Sequence, residues 1–355
     1  MGHNGELARI SEKIRSGERI GAEEALALYQ QADLHTLGIL ADSVRHRLHP
    51  EPIVTYVIDR NINYTNICIS GCKFCAYYCE PGKDGGYILD HQELEKKIEE
   101  TKALGGTQVL LQGGLHPDLP LEFYEDMVSF IKSKGIHCHC FSPPEIVHFS
   151  KISGLSIREV LERLKAAGLD SIPGGGAEIL VDRVREKIAP RKASAQEWLD
   201  VMEEAHNLGL RTTATMMFGH IETPRERIIH MDRLRQVQDR TGGFTAFIPW
   251  PFQPGNTAIE TRSATAHEYL KLLAVSRIYL DNFDNIQASW VTQGPKVAQV
   301  SLFYGANDFG STMIEENVVA AAGVSHRLSE QEIRRHITEA GFEPRQRLMD
   351  YRLVS

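Results

Sequence analysis

Strand-like apolar runs alternate with amphipathic, helix-like runs along most of this 355-residue chain. Glycine often ends a helical run just before the next strand-like run, as at Gly135, Gly168 and Gly209. The predicted strands are 53–59, 107–112, 136–141, 169–173, 210–218, 244–249, 285–289 and 306–309. Repeated strand–helix units build a parallel sheet, and eight of them close a barrel. We therefore expect an α/β fold, a (β/α)8 TIM-type barrel.

The segments that flank this pattern predict covers for the barrel. Residues 1–52 carry apolar positions at helical spacing and predict a helical N-terminal cap. Residues 53–313 form the predicted barrel domain. Residues 314–355, with a helix over 330–340, predict a C-terminal extension that closes one barrel end.

Composition narrows the class of protein. Lys and Arg number 39 against 47 Asp and Glu, and the net charge of −8 argues against nucleic-acid or anionic-membrane partners. No apolar run approaches the length of a membrane span, and the polar start of the chain lacks a signal peptide's apolar segment. We expect a cytoplasmic protein, whose six cysteines serve as ligands rather than as a disulfide framework.

Three cysteines lie in the loop after the first predicted strand, at Cys68, Cys72 and Cys75. Three thiolates from one loop can hold a small iron–sulfur cluster and leave one iron open for a substrate. Small Gly71 lets the loop turn between ligands, and Phe74 gives the cluster an apolar wall. A structural zinc site is the alternative interpretation, with Cys79 as a possible fourth ligand.

This spacing, with an aromatic residue before the last cysteine, resembles the signature of the radical S-adenosylmethionine (SAM) superfamily. The resemblance implies a barrel of the radical SAM kind. It also implies a [4Fe-4S] cluster whose open iron binds SAM, so that reductive cleavage of SAM yields a 5′-deoxyadenosyl radical. Gly113 and Gly114 resemble by position the superfamily's Gly-Gly-Glu motif, although Leu115 stands at the third position. The predicted cofactor-binding residues are Phe74, Gly113, Gly114, Ser142, Glu145 and Met217.

Several acids and bases follow the predicted strands, where a barrel places its chemistry. Glu178 and His220 are the catalytic candidates, because each follows glycine-rich backbone at a strand end. Other acids also lie at loop positions, and for each of them a solvated or ion-paired role is as good an interpretation as a catalytic one. They are Asp182, Glu222, Glu315 and Glu316.

The run from His137 to Cys140 alternates histidine and cysteine. Neighbouring side chains of a strand point to opposite faces, so His137 and His139 face one way and Cys138 and Cys140 the other. Four ligands on one ion are therefore not expected, and the two cysteines are predicted to fill apolar space.

From Asn61 onward the chain resembles a narrower family, the cyclic dehypoxanthine futalosine synthases of menaquinone biosynthesis. The matching segments include INYTNIC with GCKFCAYY, GGTQVLLQGGLHPDLPLEFYEDMV, GLDSIPGGGAEIL, GGFTAFIPWPFQPGNT, NIQASWVTQGPKVAQ and GANDFGSTMIEENVV. The resemblance implies that the substrate is dehypoxanthine futalosine. Its ribose 4′ carbon loses hydrogen to the deoxyadenosyl radical and then closes a ring onto the benzoate.

The same resemblance implies the substrate contacts and the partners. Ser289, Asp308 and Thr312 are the predicted substrate residues, and an electron donor such as flavodoxin or ferredoxin is expected. Aminofutalosine synthase and the deazaflavin-forming enzymes remain alternatives, since they share the cysteine loop. A zinc or iron–sulfur binding protein is the non-enzyme alternative.

Overall fold

The computed structural model describes residues 3–324 and 326–354. Short parallel strands surround a central axis, and helices pack outside them. The strands are β1 (Ile53–Val57), β2 (Asp59–Asn63), β3 (Gln108–Gln112), β4 (His137–Cys140), β5 (Ser171–Ile172), β6 (Arg211–Phe218), β7 (Phe244–Pro251), β8 (Asn285–Ile286), β9 (Asp308–Ser311) and β10 (Glu343–Gln346).

The helices connect successive strands and precede the first one. They are α1 (His3–Ser16), α2 (Ala22–Gln31), α3 (Leu34–Leu48), α4 (His91–Ala103), α5 (Leu121–Ser133), α6 (Pro143–Ser153), α7 (Ile157–Ala167), α8 (Asp182–Ile188), α9 (Ala195–Asn207), α10 (Pro224–Thr241), α11 (Ala266–Tyr279), α12 (Trp290–Gln293), α13 (Pro295–Ser301), α14 (Val318–Ala321) and α15 (Glu330–Glu339). Within the described residues, none of them combines the length and the apolar character that a membrane crossing needs.

The strands close into a ring, which confirms the predicted barrel. β2 to β8 form one parallel sheet in chain order. β9 joins the β8 edge through a bridge between Gln287 and Asp308, and it pairs in parallel with β1. β1 then leads across Ile58 into β2, so the sheet meets itself.

The first predicted strand, 53–59, is divided because its edge changes partner at Ile58. β1 pairs with β10 from Ile53 onward, and β2 pairs with β3 from Asp59 onward. The amide of Thr107 donates to the carbonyl of Ile58 at 3.2 Å, at the point where the partner changes. The sequence pattern does not predict β10, because its residues are polar and partly exposed and lack a buried apolar face.

Many barrel helices begin with reciprocal side-chain caps, which explains why they start where they do. Ser156 begins α7, Thr223 begins α10 and Thr265 begins α11, and each accepts from the backbone three residues later. The glutamate at that third position bonds back to the capping residue's amide. This pattern satisfies amides that the first helical turn leaves unpaired.

The three N-terminal helices lie across the amino ends of the barrel strands. α3 packs against α11, and α2 packs against α10 and α11. From α3, the buried Arg45 donates to the carbonyl of Ala306, just before β9, and to that of Ile53 at the start of β1. The predicted helical cap therefore covers the barrel end opposite the loops that follow the strands. The domain boundaries 1–52, 53–313 and 314–355 stay a prediction.

β4 shows the expected alternation of faces. His137 and His139 both bond to the hydroxyl of Ser171, while Cys138 and Cys140 are fully buried on the other side. The two cysteines fill buried space, as predicted, and the structure pairs them as a disulfide, which the sequence did not predict. The Cα atoms of this pair lie 5.5 Å apart, within the range of a disulfide.

Several polar side chains lie on the inward face of the barrel, among apolar ones such as Leu110 and Ile248. Asp59, Asn61 and Asn63 of β2 point inward with Gln108 and Gln112 of β3. TIM barrels usually fill this space with branched apolar side chains. Here the apolar side chains of Ile62, Val109 and Leu111 are buried away from the cavity, Leu110 lines it, and the cavity occupies the barrel axis.

Candidate active site

The cavity has a volume of about 420 Å³ and runs from the loops after the strands down into the barrel. The cysteine loop and the Gly113-Gly114 segment line its upper part. His139, Gln287 and Arg347 belong to its lower lining, together with Met349 from the segment after β10. The cavity therefore extends from the cysteine loop to the segment after β10.

The three motif cysteines all line this cavity. The amide of Ser70 lies 3.4 Å from the sulfur of Cys68, and its hydroxyl lies 3.0 Å from the sulfur of Cys72. Gly71 has φ +56°, and a Cβ there would stand 2.2 Å from the guanidinium of Arg191. Glycine is thus needed at this turn both for its backbone angle and for space.

Cys79 lies outside the cavity lining. Its sulfur faces the carbonyls of Glu80, Lys83 and Asp84, which form the turn that follows it. Its backbone pairs with the cysteine loop, because the amide of Cys68 donates to the carbonyl of Cys79 at 2.9 Å. The structure therefore gives no support to Cys79 as a fourth ligand.

The donor set fits an iron–sulfur cluster. Cys68, Cys72 and Cys75 are free thiols on one wall of the cavity, and backbone amides and a hydroxyl point at their sulfurs. Among residues 3–324 and 326–354, no three His, Cys, Asp or Glu side chains converge closely enough to hold a single metal ion. A cluster differs, because it spreads its thiolates over separate irons.

Burial acts on these thiols before a cluster binds. It raises the pKa of Cys72 to about 11, although the nearby ammonium of Lys192 acts in the opposite direction. Burial likewise raises the pKa of Cys75, against the backbone amides of Tyr77 and Tyr78. Cys72 and Cys75 consequently need a bound cation to remain ionised at neutral pH.

Gly113 and Gly114 lie where no side chain fits. A Cβ at Gly114 would stand 2.2 Å from the carbonyl oxygen of Ile67, and one at Gly113 would stand 2.5 Å from the ring of Tyr64. Both glycines line the cavity, but Gly114 also packs directly on the cysteine loop. Any larger residue at Gly114 would therefore displace the loop as well as crowd a ligand.

Glu145 ties the glycine segment to the start of α6. One oxygen accepts from the amide of Gly113 at 3.0 Å and the hydroxyl of Tyr64 at 2.8 Å. The other accepts from the amide of Ser142 at 2.7 Å and its hydroxyl at 2.6 Å. Burial raises the pKa of Glu145, and these four donors oppose that rise. Glu145 and Ser142 line the cavity, yet this carboxylate already serves to position the loop.

Glu178 lies in the cavity within an ion-pair cluster that sequence reasoning missed. Its carboxylate is 2.9 Å from the ammonium of Lys192 and 3.4 Å from the guanidinium of Arg185. Burial opposes the charge on Lys192, but Glu178 and the Cys72 thiol together more than offset burial, so the pKa of Lys192 is raised. That ammonium also lies 5.2 Å from the ring centre of Phe74, beside the cysteine loop. No local spacing connects Lys192 with this loop in the sequence.

His220 and Met217 are not part of the cavity lining. One ring nitrogen of His220 lies 3.0 Å from the carbonyl of Met217, and the other accepts from the amide of Ile221 at 2.8 Å. Burial lowers the pKa of His220, although the Glu222 carboxylate, 3.1 Å from the ring, acts in the opposite direction. The turn at Gly219 folds the imidazole back on its own strand, so the structure gives its predicted catalytic role no geometric basis.

The three predicted substrate residues lie in different surroundings. Ser289 lines the cavity and bonds to the hydroxyl of Thr292 at 2.7 Å. Asp308 and Thr312 lie outside the lining. Asp308 is fully buried in an ion pair with Arg347, which itself lines the cavity. The inward polar side chains of β2 and β3 are further residues that sequence reasoning missed, and their alternation along each strand was the available signal.

Comparison with known proteins defines the family. Residues 62–234 match the family model of the radical SAM superfamily. The cyclic dehypoxanthine futalosine synthase of Halalkalibacterium halodurans is 46% identical over 97% of this chain and 94% of that relative. The chain belongs to the radical SAM superfamily. Residues 241–355 also match the CofH/MqnC C-terminal region.

Other relatives of this radical SAM protein cover nearly its whole length. The cyclic dehypoxanthine futalosine synthase of Streptomyces coelicolor is 48% identical over 99% of this chain and 90% of its own. The aminodeoxyfutalosine synthase of Thermus thermophilus is 44% identical over 98% of this chain and 96% of its own. Among solved structures, the hydrogenase maturase HydG from Carboxydothermus hydrogenoformans is similar in fold, with a TM-score of 0.78 at 18% identity, covering 98% of this chain and 81% of its own. The superfamily uses a [4Fe-4S] cluster and SAM, so both are cofactors of this enzyme.

Proposed function

We propose that this protein is a radical SAM cyclase that converts dehypoxanthine futalosine into cyclic dehypoxanthine futalosine in menaquinone biosynthesis. The observation that carries the proposal is the near full-length identity of 46% and 48% to two synthases of that name. The similarity extends through the strands that line the lower cavity as well as the cysteine loop. A cavity with room for a ligand beneath the loop suits a substrate that reacts beside a cofactor.

The upper cavity is the proposed cofactor end. Cys68, Cys72 and Cys75 would hold the cluster, and Gly113-Gly114 leaves backbone open beside it for SAM. When bound, the cluster and SAM supply a 5′-deoxyadenosyl radical. Glu145 keeps the glycine segment in place through the amide of Gly113. These roles remain our proposal, as does that of Phe74 in the wall of the site.

The lower cavity is the proposed substrate end. Ser289 presents a hydroxyl there, and Arg347 and Met349 close the space from below. Asp308 acts through Arg347, whose guanidinium it orients. Because the barrel wall surrounds the substrate, the carbon radical formed at the ribose is kept away from water until the ring closes.

The enzyme also needs an electron and a small-molecule substrate. We propose an external donor such as flavodoxin or ferredoxin, acting in the cytoplasm, where thiolate-bound clusters persist. The net charge of −8 does not favour binding to an anionic partner such as nucleic acid.

Aminofutalosine synthase is the second candidate function. The 44% identity to the Thermus thermophilus aminodeoxyfutalosine synthase is only slightly lower than the identities to the two cyclases. That reaction would attach the adenosyl group to its substrate, so no 5′-deoxyadenosine would be released. The products of the two reactions therefore distinguish the candidates.

The proposal is tested by an anaerobic reaction with a substrate that carries deuterium at a known position. Reconstituted, reduced enzyme is given SAM and dehypoxanthine futalosine deuterated at the ribose 4′ carbon. We expect 5′-deoxyadenosine that carries the deuterium, methionine, and a product lighter than the substrate by the two hydrogens lost. An adenosyl adduct formed from an enolpyruvyl benzoate, or 5′-deoxyadenosine without label, would contradict the cyclase proposal.

A further inference from the structure

Two histidines of β4 are joined through one serine of β5. The Nε2 atom of His137 lies 2.7 Å from the hydroxyl oxygen of Ser171, and the Nδ1 atom of His139 lies 2.7 Å from the same oxygen. Ser171 is fully buried and His139 is 6% exposed. A hydroxyl has one proton to donate and can also accept, so it donates to one ring while it accepts from the other. The three groups therefore form a continuous hydrogen-bonded chain.

The inner end of this chain faces the cavity. His139 belongs to the cavity lining, and Ser171 occupies its Nδ1 atom. Among the described residues, its Nε2 atom has no hydrogen-bond partner and is not sealed away from the cavity. That nitrogen is thus available to a bound substrate.

The outer end lies at the amino end of the strand. His137 is the first residue of β4 and is partly exposed. Burial lowers the pKa of His137, and the charges of Asp170, Lys132 and Asp350 act on it. Asp350 belongs to the segment after β10, and its side chain is 38% exposed. Two carboxylates consequently accompany His137 at the edge of the solvent.

We infer that His139, Ser171 and His137 form a proton relay, which carries the proton released after ring closure from the cavity to the base of the barrel. The inference rests on the proposed function. Loss of a hydrogen atom from the ribose and bond formation to the benzoate leave a ring radical. To reach the closed-shell product, that radical must lose one electron, for which the oxidised iron–sulfur cluster would be the acceptor, and one proton, which His139 takes. The electron balances the one spent on SAM cleavage.

A relay solves a problem that a single buried histidine would have. Burial, followed by the charges of His137 and Arg347, lowers the pKa of His139 well below its usual value. A lasting imidazolium at His139 is therefore unfavourable. In the relay, Nε2 takes the proton while the Nδ1 proton moves to Ser171 and the Ser171 proton moves to His137. Positive charge then builds up only at the partly exposed end.

The carboxylates of the cavity are less suited to this task. Glu178 is paired with Lys192 and Arg185 at the cysteine end. Glu145 accepts four hydrogen bonds. Glu316 is the competitor, because it lines the cavity and accepts from Asn61 at 2.7 Å and from the amide of Val319 at 2.7 Å. Its two oxygens are held by donors, and it adjoins no histidine chain.

The reaction test separates hydrogen abstraction from proton loss. His139→Gln and Ser171→Ala enzymes, reconstituted and reduced, receive SAM and the 4′-deuterated substrate. His148→Gln is the matched control, since His148 is equally buried, lies outside the cavity and bonds only to the carbonyl of His116. We expect labelled 5′-deoxyadenosine from all variants. The ratio of cyclic product to 5′-deoxyadenosine should fall about 100-fold in His139→Gln, with a substrate radical visible by electron paramagnetic resonance.

The outcomes assign failure to one proposal or the other. Unchanged product ratios in His139→Gln and Ser171→Ala, or a fall confined to Glu316→Gln, would overturn the relay alone. A parent enzyme that forms no labelled 5′-deoxyadenosine would overturn the cyclase proposal, and with it this use of the relay.

A second measurement tests the hydrogen-bonded chain without relying on enzyme activity. In 15N-histidine-labelled protein without cofactors, Ser171→Ala should change the ring-nitrogen shifts of both His137 and His139, because each ring loses its partner. The His148→Gln control should leave those two spectra unchanged. If the Ser171→Ala spectra match the parent at both histidines, the relay does not exist.

Discussion

At the residue scale, the cysteine loop distinguishes thiols that face the cavity from one that does not. Cys72 is buried in the cavity wall beside the hydroxyl of Ser70. Cys79, seven residues later, points into its own turn. Thiolate ligands fix iron only where their sulfurs share one space. The position of a cysteine in the loop, rather than its residue type, determines whether it can act as a cluster ligand.

This difference gives a prediction for iron binding. Cys72→Ala should lose the cluster after anaerobic reconstitution, since two thiolates remain where three are needed. Cys79→Ala, the matched control from the same loop, should retain parental iron and sulfide per chain. Chemical analysis of iron and sulfide, together with visible absorbance, measures both. Loss of the cluster in Cys79→Ala alone would contradict the ligand assignment.

The site residues that sequence could predict are those with a local pattern. Cys68, Cys72 and Cys75 follow a short spacing, and the Gly113-Gly114 pair follows a strand. Lys192 and Arg347 come from segments far along the chain, and folding alone brings them to the cavity. His220 follows a glycine at a strand end, the pattern that predicted a catalytic role. The turn after Gly219 nevertheless directs its ring away from the cavity. Side-chain direction in a loop is not encoded by spacing.

At the scale of single elements, α10 shows how a cap and an ion pair act together. Thr223 and Glu226 form its capping box, and Glu226 also pairs with Arg183 of α8 at 2.6 Å. The guanidinium of Arg183, opposed by burial and aided by Thr223, lowers the pKa of Glu226 to about 2. The start of the helix is thereby joined to the loop that carries Glu178.

Glu226 should therefore contribute a pH-dependent part of stability. A carboxyl whose folded pKa is depressed stabilises the fold above its unfolded value, near 4.5, and loses that effect as pH falls towards 2. We expect Glu226→Gln to lower the free energy of unfolding by about 1–2 kcal/mol at pH 6, a value reduced by screening at the half-exposed Arg183. The difference from the parent should shrink at pH 3.5.

Denaturant titrations at the two pH values measure this effect. Glu332→Gln is the control, since Glu332 caps α15 through Ser329 and forms no ion pair among the described residues. It should show a smaller loss at pH 6. An equal difference between Glu226→Gln and the parent at both pH values would contradict the assignment.

At the scale of the whole molecule, an ion pair joins the last strand to the barrel. Arg347 follows β10 and pairs with Asp308 of β9, with a second contact at 3.1 Å. Asp308 is fully buried, and Arg347 is 5% exposed. The ion pair thus links β9 and the end of β10, which lie on either side of β1, below the cavity. The sequence predicted eight strands in order, but neither β10 nor its attachment to β1, because the polar residues of β10 resemble a loop.

We expect Arg347→Met to lower the free energy of unfolding by about 3–5 kcal/mol, because it leaves the Asp308 carboxylate buried without a partner. Arg345→Met, two residues earlier in β10, is the control. Its exposed pair with Glu343 should be worth less than about 1 kcal/mol. Adding Asp308→Asn to Arg347→Met should restore part of the loss. Equal losses for Arg345→Met and Arg347→Met, measured by chemical denaturation, would contradict this account.

The pairing of β1 with β9 and β10 also affects how the chain is made. Ile53 pairs with Glu343, so the partner of the first barrel strand is synthesised 290 residues later. At about 5–20 residues per second, that edge stays open on the ribosome for about 15–60 s. An unpaired edge of this kind invites pairing with other chains. Nascent chains of this enzyme should therefore depend on chaperones that shield β1 until the barrel closes.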